Sequence, residues 1–337
     1  MSNTKLEEYK ATSETAEVDE STKESLVSKG KSKLRSVAAA GAIGLASFGA
    51  PSARASTTFT FTAGTKTWFF TGIATSSGDT PNISEGSLTT TGDSYGDAFD
   101  GALYIKVDGT DFQYDAPAVV TANSVTGTDT LSGLDTQMQY YFFGNRPLVR
   151  AFYQFTNNTA STITATATFE GDYGSDDSTV MEATSDGDAI PEDTDKWYIS
   201  SDDGDGDPVL TLTRYGGAAT ETGTDIQSPD AGNDSYEIDY NLSVAPGETV
   251  SLLFFQEMSA SVAAAQTGAA DFDSLSTLSS ASLLTGISAG QQATILNYKN
   301  AASGIPLIKG NALISLAAAL GLFGAAGLSR RRKPKKA

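Results

Sequence analysis

The chain of 337 residues contains no cysteine and no histidine. Without cysteine it can form no disulfide, no thiolate nucleophile and no thiolate metal site, so its stability must come from core packing, ions or partners. Without histidine it lacks the usual general base of serine and cysteine hydrolases and the commonest zinc ligand. Carboxylates, Lys, Tyr and Arg form no recognisable catalytic constellation, so we predict that the protein is not an enzyme.

Basic residues are few, and most of them lie near the two ends of the chain. The sequence has 22 Lys and Arg against 41 Asp and Glu, a net charge of −19. Eight basic and seven acidic residues precede Ser56 and six basic residues follow Ser329, which leaves 8 basic and 34 acidic residues in the body. Such a surface repels nucleic acid and anionic lipid, and it suits solubility outside the cell or cation binding.

The first 55 residues have the features of an extended export signal. Residues 1–28 are polar and charged, so we expect them to be disordered. An apolar run over residues 37–49 precedes Ala53 and Ala55, which form an A-x-A site. The run follows four basic residues, Lys29, Lys31, Lys33 and Arg35. This order is typical of a signal peptide over residues 1–55, which signal peptidase would remove after Ala55.

From Ser56 the sequence changes to short runs with period-two alternation. Threonines in residues 162–170 alternate with apolar residues, which is typical of a strand with one buried and one wet face. Runs at 137–143 and 148–156 also have strand character. We therefore predict an all-β fold, a large antiparallel β-sandwich that forms a single domain over residues 56–257.

Two turn sequences predict hairpins. Asp108-Gly109 follows an alternating run and predicts a hairpin to the next strand. Pro246-Gly247 separates runs at 236–244 and 249–256 and predicts that these two strands pair. A strand is predicted at 196–200, inside the second of three turn-rich segments that are otherwise predicted as loops, residues 76–99, 171–208 and 216–232.

After Glu257 the pattern becomes helical, over residues 258–303. Residues 261–278 are rich in alanine, which favours helix. Ser288 and Gln291 have the spacing of a capping box that opens a helix to about residue 300. We predict short helices that pack on one edge or end of the sandwich.

Three loops rich in aspartate and glycine form the candidate metal site. Oxygen-rich loops suit Ca²⁺, which takes about six to eight oxygen ligands, although the spacing does not fit the helix-loop-helix calcium motif. The alternative is a solvated acidic surface without a bound ion. No other cofactor is predicted. The predicted metal ligands are Asp172, Asp176, Asp177, Asp186, Asp188, Asp203, Asp205 and Asp207.

The last 34 residues, 304–337, have three parts. The motif Ile305-Pro306-Leu307 is followed by an apolar run over residues 312–328 and by a basic cluster that begins with Arg330, Arg331 and Arg332. The run is just long enough for a transmembrane helix, and the cluster would hold its end in the cytoplasm. This order resembles the PEP-CTERM class of sorting signals and its relatives with Ile-Pro-Thr-Leu or Val-Pro-Leu-Pro-Ala motifs.

The resemblance implies recognition by an exosortase, a membrane transpeptidase-like enzyme, and cleavage near the proline motif. It also implies delivery to the surface of a bacterium that makes exopolysaccharide. A plain C-terminal membrane anchor is the alternative, because the positive-inside rule explains the basic cluster equally well.

Tryptophan and arginine are the remaining candidates for glycan contacts. Of the two tryptophans, Trp68 and Trp197, the second lies in the acidic, turn-rich region and is the better candidate to offer a flat ring to a sugar. The alternative is placement of Trp197 in the core, since tryptophan is highly buried on average. Arg146 and Arg150 could bind an anionic sugar, but ion pairs with nearby carboxylates are the simpler interpretation.

Together these features predict a secreted, surface-sorted protein with a structural, adhesive or extracellular-matrix role in an exopolysaccharide-producing bacterium. Its expected location is the cell surface or the matrix, with transient or permanent anchoring in the membrane through the C-terminal helix. The expected partners are signal peptidase, an exosortase-like enzyme and exopolysaccharide, but not nucleic acid. The alternatives are a carbohydrate-binding module, which would bind without forming product, and a carbohydrate-active enzyme, which would release oligosaccharide.

Overall fold

The computed structural model describes residues 58–300, with the exception of residues 64–66, 176–177, 203–205 and 231–232. The predicted signal peptide with Ala53 and Ala55, and the predicted sorting tail from residue 304 onward, lie outside the described residues. Within residues 58–300, so far as they are described, no helix is long and apolar enough to cross a membrane.

Strands make up about half of this part of the chain. Threonine, β-branched and aromatic residues favour them, because such side chains pack well on a pleated surface. The strands are β1 (Thr58–Thr62), β2 (Thr67–Ala74), β3 (Glu85–Thr89), β4 (Ser94–Tyr95), β5 (Phe99–Val107), β6 (Thr110–Asp111), β7 (Val119–Val120), β8 (Ser124–Leu131), β9 (Leu134–Phe142), β10 (Leu148–Thr156), β11 (Ile163–Tyr173), β12 (Thr179–Thr184), β13 (Trp197–Asp202), β14 (Val209–Thr213), β15 (Thr224–Gln227), β16 (Ser235–Val244) and β17 (Thr249–Ser259).

The strands form three antiparallel sheets. The eight-stranded sheet has the order β12-β13-β14-β17-β10-β9-β8-β7, the five-stranded sheet β15-β16-β11-β5-β6, and the four-stranded sheet β1-β2-β3-β4. Both smaller sheets pack on the same face of the eight-stranded sheet. Phe169 of β11 stacks on Phe254 of β17 at 3.7 Å between ring centroids, and Phe61 of β1 stacks on Phe142 of β9 at 4.9 Å. The predicted antiparallel β-sandwich is confirmed.

Two loops carry the chain from one layer to the other. β10 and β17 belong to the eight-stranded sheet, whereas β11 and β16, which adjoin them in sequence, belong to the five-stranded sheet. The predicted pairing of residues 236–244 with 249–256 is therefore wrong, because Pro246-Gly247 lies in a crossover between sheets. The fully buried Asn157 links the two crossovers by donating from its side-chain amide to the carbonyl of Val244 at 2.7 Å.

Local turn and loop predictions have mixed outcomes. Asp108 and Gly109 both have positive φ, 49° and 75°, and close the predicted hairpin between β5 and β6. The segments predicted as loops contain further strands: β3 and β4 lie within 76–99, β12 within 171–208, and β15 within 216–232. These strands lie at or next to a sheet edge, where few apolar side chains are needed, so their alternation is weak.

Short helices follow β17, as predicted: α1 (Val262–Ala269), a 3-10 helix (Ala270–Phe272), α2 (Leu275–Ser280) and α3 (Ala289–Thr294). The predicted capping box is present, since Ser288 Oγ accepts from the Gln291 N–H and Gln291 Oε1 accepts from the Ser288 N–H. α3 ends well before residue 300, and residues 261–278 form separate helices because Ser274 caps a new start.

Leu103 of β5 is a buried residue with left-handed backbone, at φ 65°. Its carbonyl accepts hydrogen bonds from the hydroxyls of Tyr140 at 2.7 Å and Tyr153 at 2.5 Å. Its N–H donates to the hydroxyl of Tyr236 at 3.1 Å. Burial raises the pKa of all three hydroxyls, so they stay protonated. Tyrosines from both layers thus hold a backbone conformation that costs about 1–3 kcal/mol.

Candidate functional site

The outer face of the eight-stranded sheet, turned away from the smaller sheets, is divided into two halves. Cross-strand register places the outward side chains of β8, β9, β10 and β17 in four rows. The two rows of the open half are polar, namely Thr130, Asp135, Thr156 and Thr249, then Thr128, Gln137, Gln154 and Ser251. The two rows of the covered half are Thr126, Gln139, Phe152 and Leu253, then Ser124, Tyr141, Arg150 and Phe255.

The covered half lies under the helices that follow β17. Its outward apolar side chains form a buried cluster with side chains of the helical segment. The ring of Phe255 stacks on Phe272 at 5.1 Å between centroids and meets Tyr298 edge-on at 6.2 Å. Removal of this apolar surface from water is what holds the helices on the sheet.

Arg146 fastens the helical segment to β17. Two of its nitrogens donate to the carboxylate of Glu257, and the third donates to Asp271 at 2.6 Å. Burial raises the pKa of Glu257, and the guanidinium of Arg146 opposes that rise. Arg146 is therefore used in ion pairs, as the simpler interpretation predicted, and is not available to a sugar.

Arg150 is fully buried beneath the same cover. It donates to the carbonyls of Leu283 and Thr285, each at 2.8 Å, and to the side-chain oxygen of Gln139 at 3.0 Å. Its guanidinium lies 4.9 Å from the centroid of the Tyr141 ring. Burial lowers the pKa of Arg150 to about 10, so it stays charged at neutral pH. Carbonyls and a ring, not the predicted carboxylates, are the partners found for this cation.

The open half forms a groove of about 490 Å³. None of its lining residues is apolar and none is basic. They supply hydroxyl, amide and carboxylate groups, and they are Asp115, Thr128, Asp129, Thr130, Asp135, Thr136, Gln137, Gln154, Thr156 and Thr249. Such a lining can exchange hydrogen bonds with a polyhydroxylated ligand, because it contains both donors and acceptors.

Several groove side chains are held by their neighbours. Asp129 accepts from two backbone N–H groups, each at 2.7 Å. Asp135 accepts from Asn158 at 2.6 Å, and Gln154 accepts from Gln291 at 3.0 Å. The last contact places the start of α3 at the border between the two halves. Side chains that are already ordered lose less conformational freedom when a ligand binds.

A second depression, of about 620 Å³, adjoins the groove. The two share Asp115, Asp129 and Thr130. The other lining residues come from β8, the β2–β3 loop, the β5–β6 hairpin and the segment after β6, and they are Ser77, Gly78, Gly109, Thr110, Asp111, Gln113, Tyr114 and Leu131. Groove and depression together form one polar trough with acidic groups and without a basic lining residue.

The described members of the predicted metal ligands, Asp172, Asp186, Asp188 and Asp207, do not line this trough. Asp172 lies near the end of β11 and accepts from Ser235 Oγ at 3.0 Å. Asp186 and Asp188 accept hydrogen bonds within the turn after β12, and Asp207 precedes β14. In the described part of the chain, no group of three acidic residues could hold a metal ion. A calcium site stays a prediction for loops that include four residues outside the described part, Asp176, Asp177, Asp203 and Asp205.

The two tryptophans are core or border residues. Trp68 is buried in the core between the layers. Trp197, on β13, is half-buried against the apolar cluster of the covered half. Neither ring lines the groove, so the prediction of a tryptophan platform for sugars finds no support there.

β8 is the part of the site that sequence reasoning missed. It places Thr126, Thr128 and Thr130 on the outer face, and it leads into β9 through Ser132 and Gly133, which have φ of 50° and 81°. The alternating threonines before a Ser-Gly turn were the available signal. Polar residues on both sides of the strand concealed it.

Arg214 is, with Arg150, one of two fully buried arginines among the described residues, and it has a structural role near β13 and β14. It contacts Asp225 at 2.9 Å and Asp193 at 3.6 Å, and it lies over the ring of Tyr198. It also donates to the carbonyls of the segment before β13. Burial raises the pKa of Asp225, although the charge of Arg214 opposes the rise. The cluster ties β15 and its neighbouring loops to the sheet.

No family model and no curated protein matches the chain. Among solved structures, it is similar to a polysaccharide lyase at 14% identity and TM-score 0.41, over 62% of this chain and 34% of that chain. It is also similar to a galactose mutarotase-like protein from Lactobacillus casei ATCC 334, at 9% identity and TM-score 0.39, over 60% of this chain and 100% of that chain. A galactose mutarotase related enzyme from Lactobacillus acidophilus matches at 9% identity and TM-score 0.36, over 61% and 99%.

The chain thus spans 34% of the length of the lyase that it resembles. Likenesses of this degree do not determine what a protein binds or whether it catalyses a reaction.

Proposed function

We propose that the protein is an exported surface protein that binds glycan through the groove of the open half, without cleaving it. In this way it would contribute adhesion or cohesion to a polysaccharide matrix. The groove is the observation that carries this function, because its ten lining residues are all polar and seven of them stand in the two cross-strand rows of the open half. Sugar hydroxyls both donate and accept hydrogen bonds, and a lining of hydroxyls, amides and carboxylates complements them.

The position of the groove supports the same role. Sites on strands hold their side chains more firmly than sites on loops. β9 and β10 lie inside the eight-stranded sheet, and their inward side chains belong to the core between the layers. Their outward residues Asp135, Gln137, Gln154 and Thr156 therefore stand on a rigid base.

The proposed location at the cell surface rests on the sequence of two segments that lie outside the described residues. The signal peptide over residues 1–55 would direct general secretion, and the tail that resembles PEP-CTERM signals would direct exosortase-type sorting to the cell surface or matrix. Intact-mass measurement of the mature surface protein tests this route. A mature protein that keeps Arg330, Arg331 and Arg332 would contradict sorting and indicate a plain membrane anchor.

Affinity electrophoresis tests glycan binding. The purified protein is run through gels that each contain one soluble polysaccharide, and we expect retardation by at least one of them. The combined variant Gln137→Ala and Gln154→Ala should lose this retardation. The matched control is Asn241→Ala with Ser243→Ala, two exposed polar residues of β16 on the other sheet, which should keep it. Retardation that survives in the groove variant would contradict the proposed site.

Incubation of the protein with the same polysaccharides tests the absence of catalysis. We expect no released oligosaccharide and no new chain ends. Release of oligosaccharide that the groove variant abolishes would indicate a carbohydrate-active enzyme instead. If no polysaccharide retards the protein, glycan binding is wrong and a purely structural role is left.

A further inference from the structure

We propose that the groove selects an extended, uncharged glycan that lies across the strands, with about one sugar unit above each of β8, β9, β10 and β17. Such selection rests on the proposed glycan binding and adds the class and orientation of the ligand. Two features of the groove support it. The first is the direction in which its rows of polar side chains run, and the second is the charge of the residues around them.

The open half is long across the strands and short along them. Along β9 only Asp135 and Gln137 face outward before Gln139, which accepts from the buried Arg150 under the cover. Across the strands, the row from Thr130 to Thr249 spans four strands. Strands lie about 4.8 Å apart, so this row is about 14 Å long, whereas two outward residues of one strand cover about 7 Å. A ligand that follows the polar groups must run across the strands.

The strand spacing also suits a sugar chain. About 4.8 Å between strands is close to the rise of one unit in an extended, equatorially linked pyranose chain. Successive sugars would then meet successive strands in the same way. A unit above β9 would face Asp135 and Gln137, and a unit above β10 would face Thr156 and Gln154.

The helical cover limits the site at β17. Gln291 of α3 donates to Gln154, and Ser251, the next residue in that row, is fully buried and forms a β-bridge with Ile295. The row that contains Gln137 therefore offers three accessible positions, and the row that contains Asp135 offers four. A ligand of about four units would fill the groove, and additional units would pass beyond it.

The charges around the groove disfavour an anionic ligand. Its lining includes Asp115, Asp129 and Asp135 but no Lys or Arg. The three arginines of the described chain are buried or engaged with carboxylates and carbonyls elsewhere. A polymer with one carboxylate or sulfate per sugar would meet like charge at several units, and Coulomb repulsion would weaken its binding. An uncharged glycan avoids this repulsion and keeps the hydrogen bonds.

Titration calorimetry with two series of oligomers tests the inference. The uncharged series is β-1,4-linked glucose and β-1,4-linked mannose from dimer to hexamer, and the anionic series is β-1,4-linked mannuronate of the same lengths, which has the same equatorial linkage. For uncharged oligomers we expect affinity to rise about tenfold or more from dimer to tetramer and less than about threefold from tetramer to hexamer. The mannuronate tetramer should bind at least about tenfold more weakly than the uncharged tetramers at low salt, and this difference in affinity should become smaller as salt screens the repulsion.

Two sets of variants test orientation and charge. Thr130→Ala and Thr249→Ala, at opposite ends of one row, should each weaken the uncharged tetramer about threefold or more and leave the dimer unchanged. A variant that disturbed the fold in general would instead weaken the binding of both the dimer and the tetramer. Asp115→Asn with Asp135→Asn should reduce the difference in affinity between the uncharged and the anionic tetramers. Thr164→Ala, exposed on β11 of the other sheet, is the control that should change neither affinity.

The outcomes separate this inference from the function on which it rests. If neither series nor any polysaccharide in the gels binds, the proposed glycan binding is wrong. If mannuronate oligomers bind as tightly as the uncharged oligomers, or if the tetramer binds no better than the dimer, glycan binding stands and the selection of an extended, uncharged chain is wrong.

Discussion

The covered and open halves of the outer face lie on the same four strands, yet they differ in burial, in polarity and in how their charges are paired. In the covered half, Phe152, Leu253 and Phe255 are buried under the helices, whereas in the open half Thr128, Asp135 and Gln137 are exposed. The backbone is continuous between them. The difference shows that outward side chains two to four residues apart on one strand can belong to a buried core and to an exposed polar surface.

The two halves also use charge differently. In the covered half Arg146 is paired with Glu257 and Asp271. In the open half the carboxylates of the groove have no basic side chain beside them in the lining. A buried charge needs a partner because its desolvation is costly, whereas an exposed one is stabilised by water. Substitutions in the two halves should therefore have very different effects.

The largest expected effect comes from Phe255→Ala in the covered half. The change removes a fully buried ring that stacks on Phe272 and meets Tyr298 edge-on, and we expect the free energy of unfolding to fall by about 3–5 kcal/mol. Urea denaturation measures this loss. Thr249→Ala, on the same strand in the open half, should cost about 1 kcal/mol or less. Equal losses from the two variants would remove the energetic distinction between the halves.

The next prediction concerns Arg146→Met, which leaves Glu257 buried without its partner. We expect a loss of about 3–5 kcal/mol at neutral pH, and the double variant Arg146→Met with Glu257→Leu should recover most of it. Burial already raises the pKa of Glu257, and loss of Arg146 should raise it further. The folded state of the single variant then binds the proton more strongly than the unfolded chain does.

The deficit of Arg146→Met should therefore be largest above that raised pKa and should shrink as the pH falls through it. Urea denaturation at a series of pH values measures the trend. A deficit that is independent of pH, or a double variant as unstable as the single one, would show that Glu257 is not the cause.

A smaller effect is expected at the border between the halves. Ser288→Ala removes the N-cap of α3, which costs about 1 kcal/mol. Hydrogen exchange of the amides in residues 289–294 should become faster, because the cap stabilises the first turn of α3. Ser288→Thr keeps a capping hydroxyl and should leave the exchange nearly unchanged. Faster exchange in both variants would point to packing at this position and not to the cap.

The smallest effect on stability is expected from Gln137→Ala in the middle of the groove. Its side chain is exposed, so the free energy of unfolding should change by no more than about 0.5 kcal/mol. Glycan retardation should nevertheless weaken. A loss of stability comparable with that of Phe255→Ala would show that the open half is also a structural surface.

Much of the sandwich could be predicted from local patterns, but its pairings could not. The alternation at 137–143, 148–156 and 162–170 predicted three strands that are present. Pro246-Gly247 was interpreted as a hairpin because turn chemistry is local, whereas β17 pairs with β10, far from it in sequence. β8 was missed because its outward residues and several inward ones are small or polar.

No residue of the groove was among the predicted site residues, and this difference has a physical cause. The most conspicuous local feature was the set of aspartate-rich loops, and their described members form no group that could hold a metal. The groove instead consists of ordinary Thr, Gln and Asp residues. They come together only because β8, β9, β10 and β17 are in register.

Composition and periodicity are properties of neighbouring residues, and they were sufficient for the all-β class, the acidic body and the lack of thiol and imidazole chemistry. The same local patterns also predicted the short capped helices after the last strand. Which strands pair, and which half of the larger sheet the helices cover, depended on contacts between residues far apart in the chain. Such contacts form only when burial of the whole apolar cluster outweighs the entropy of ordering the segments between them, so only the tertiary structure decided where a ligand could reach the sheet.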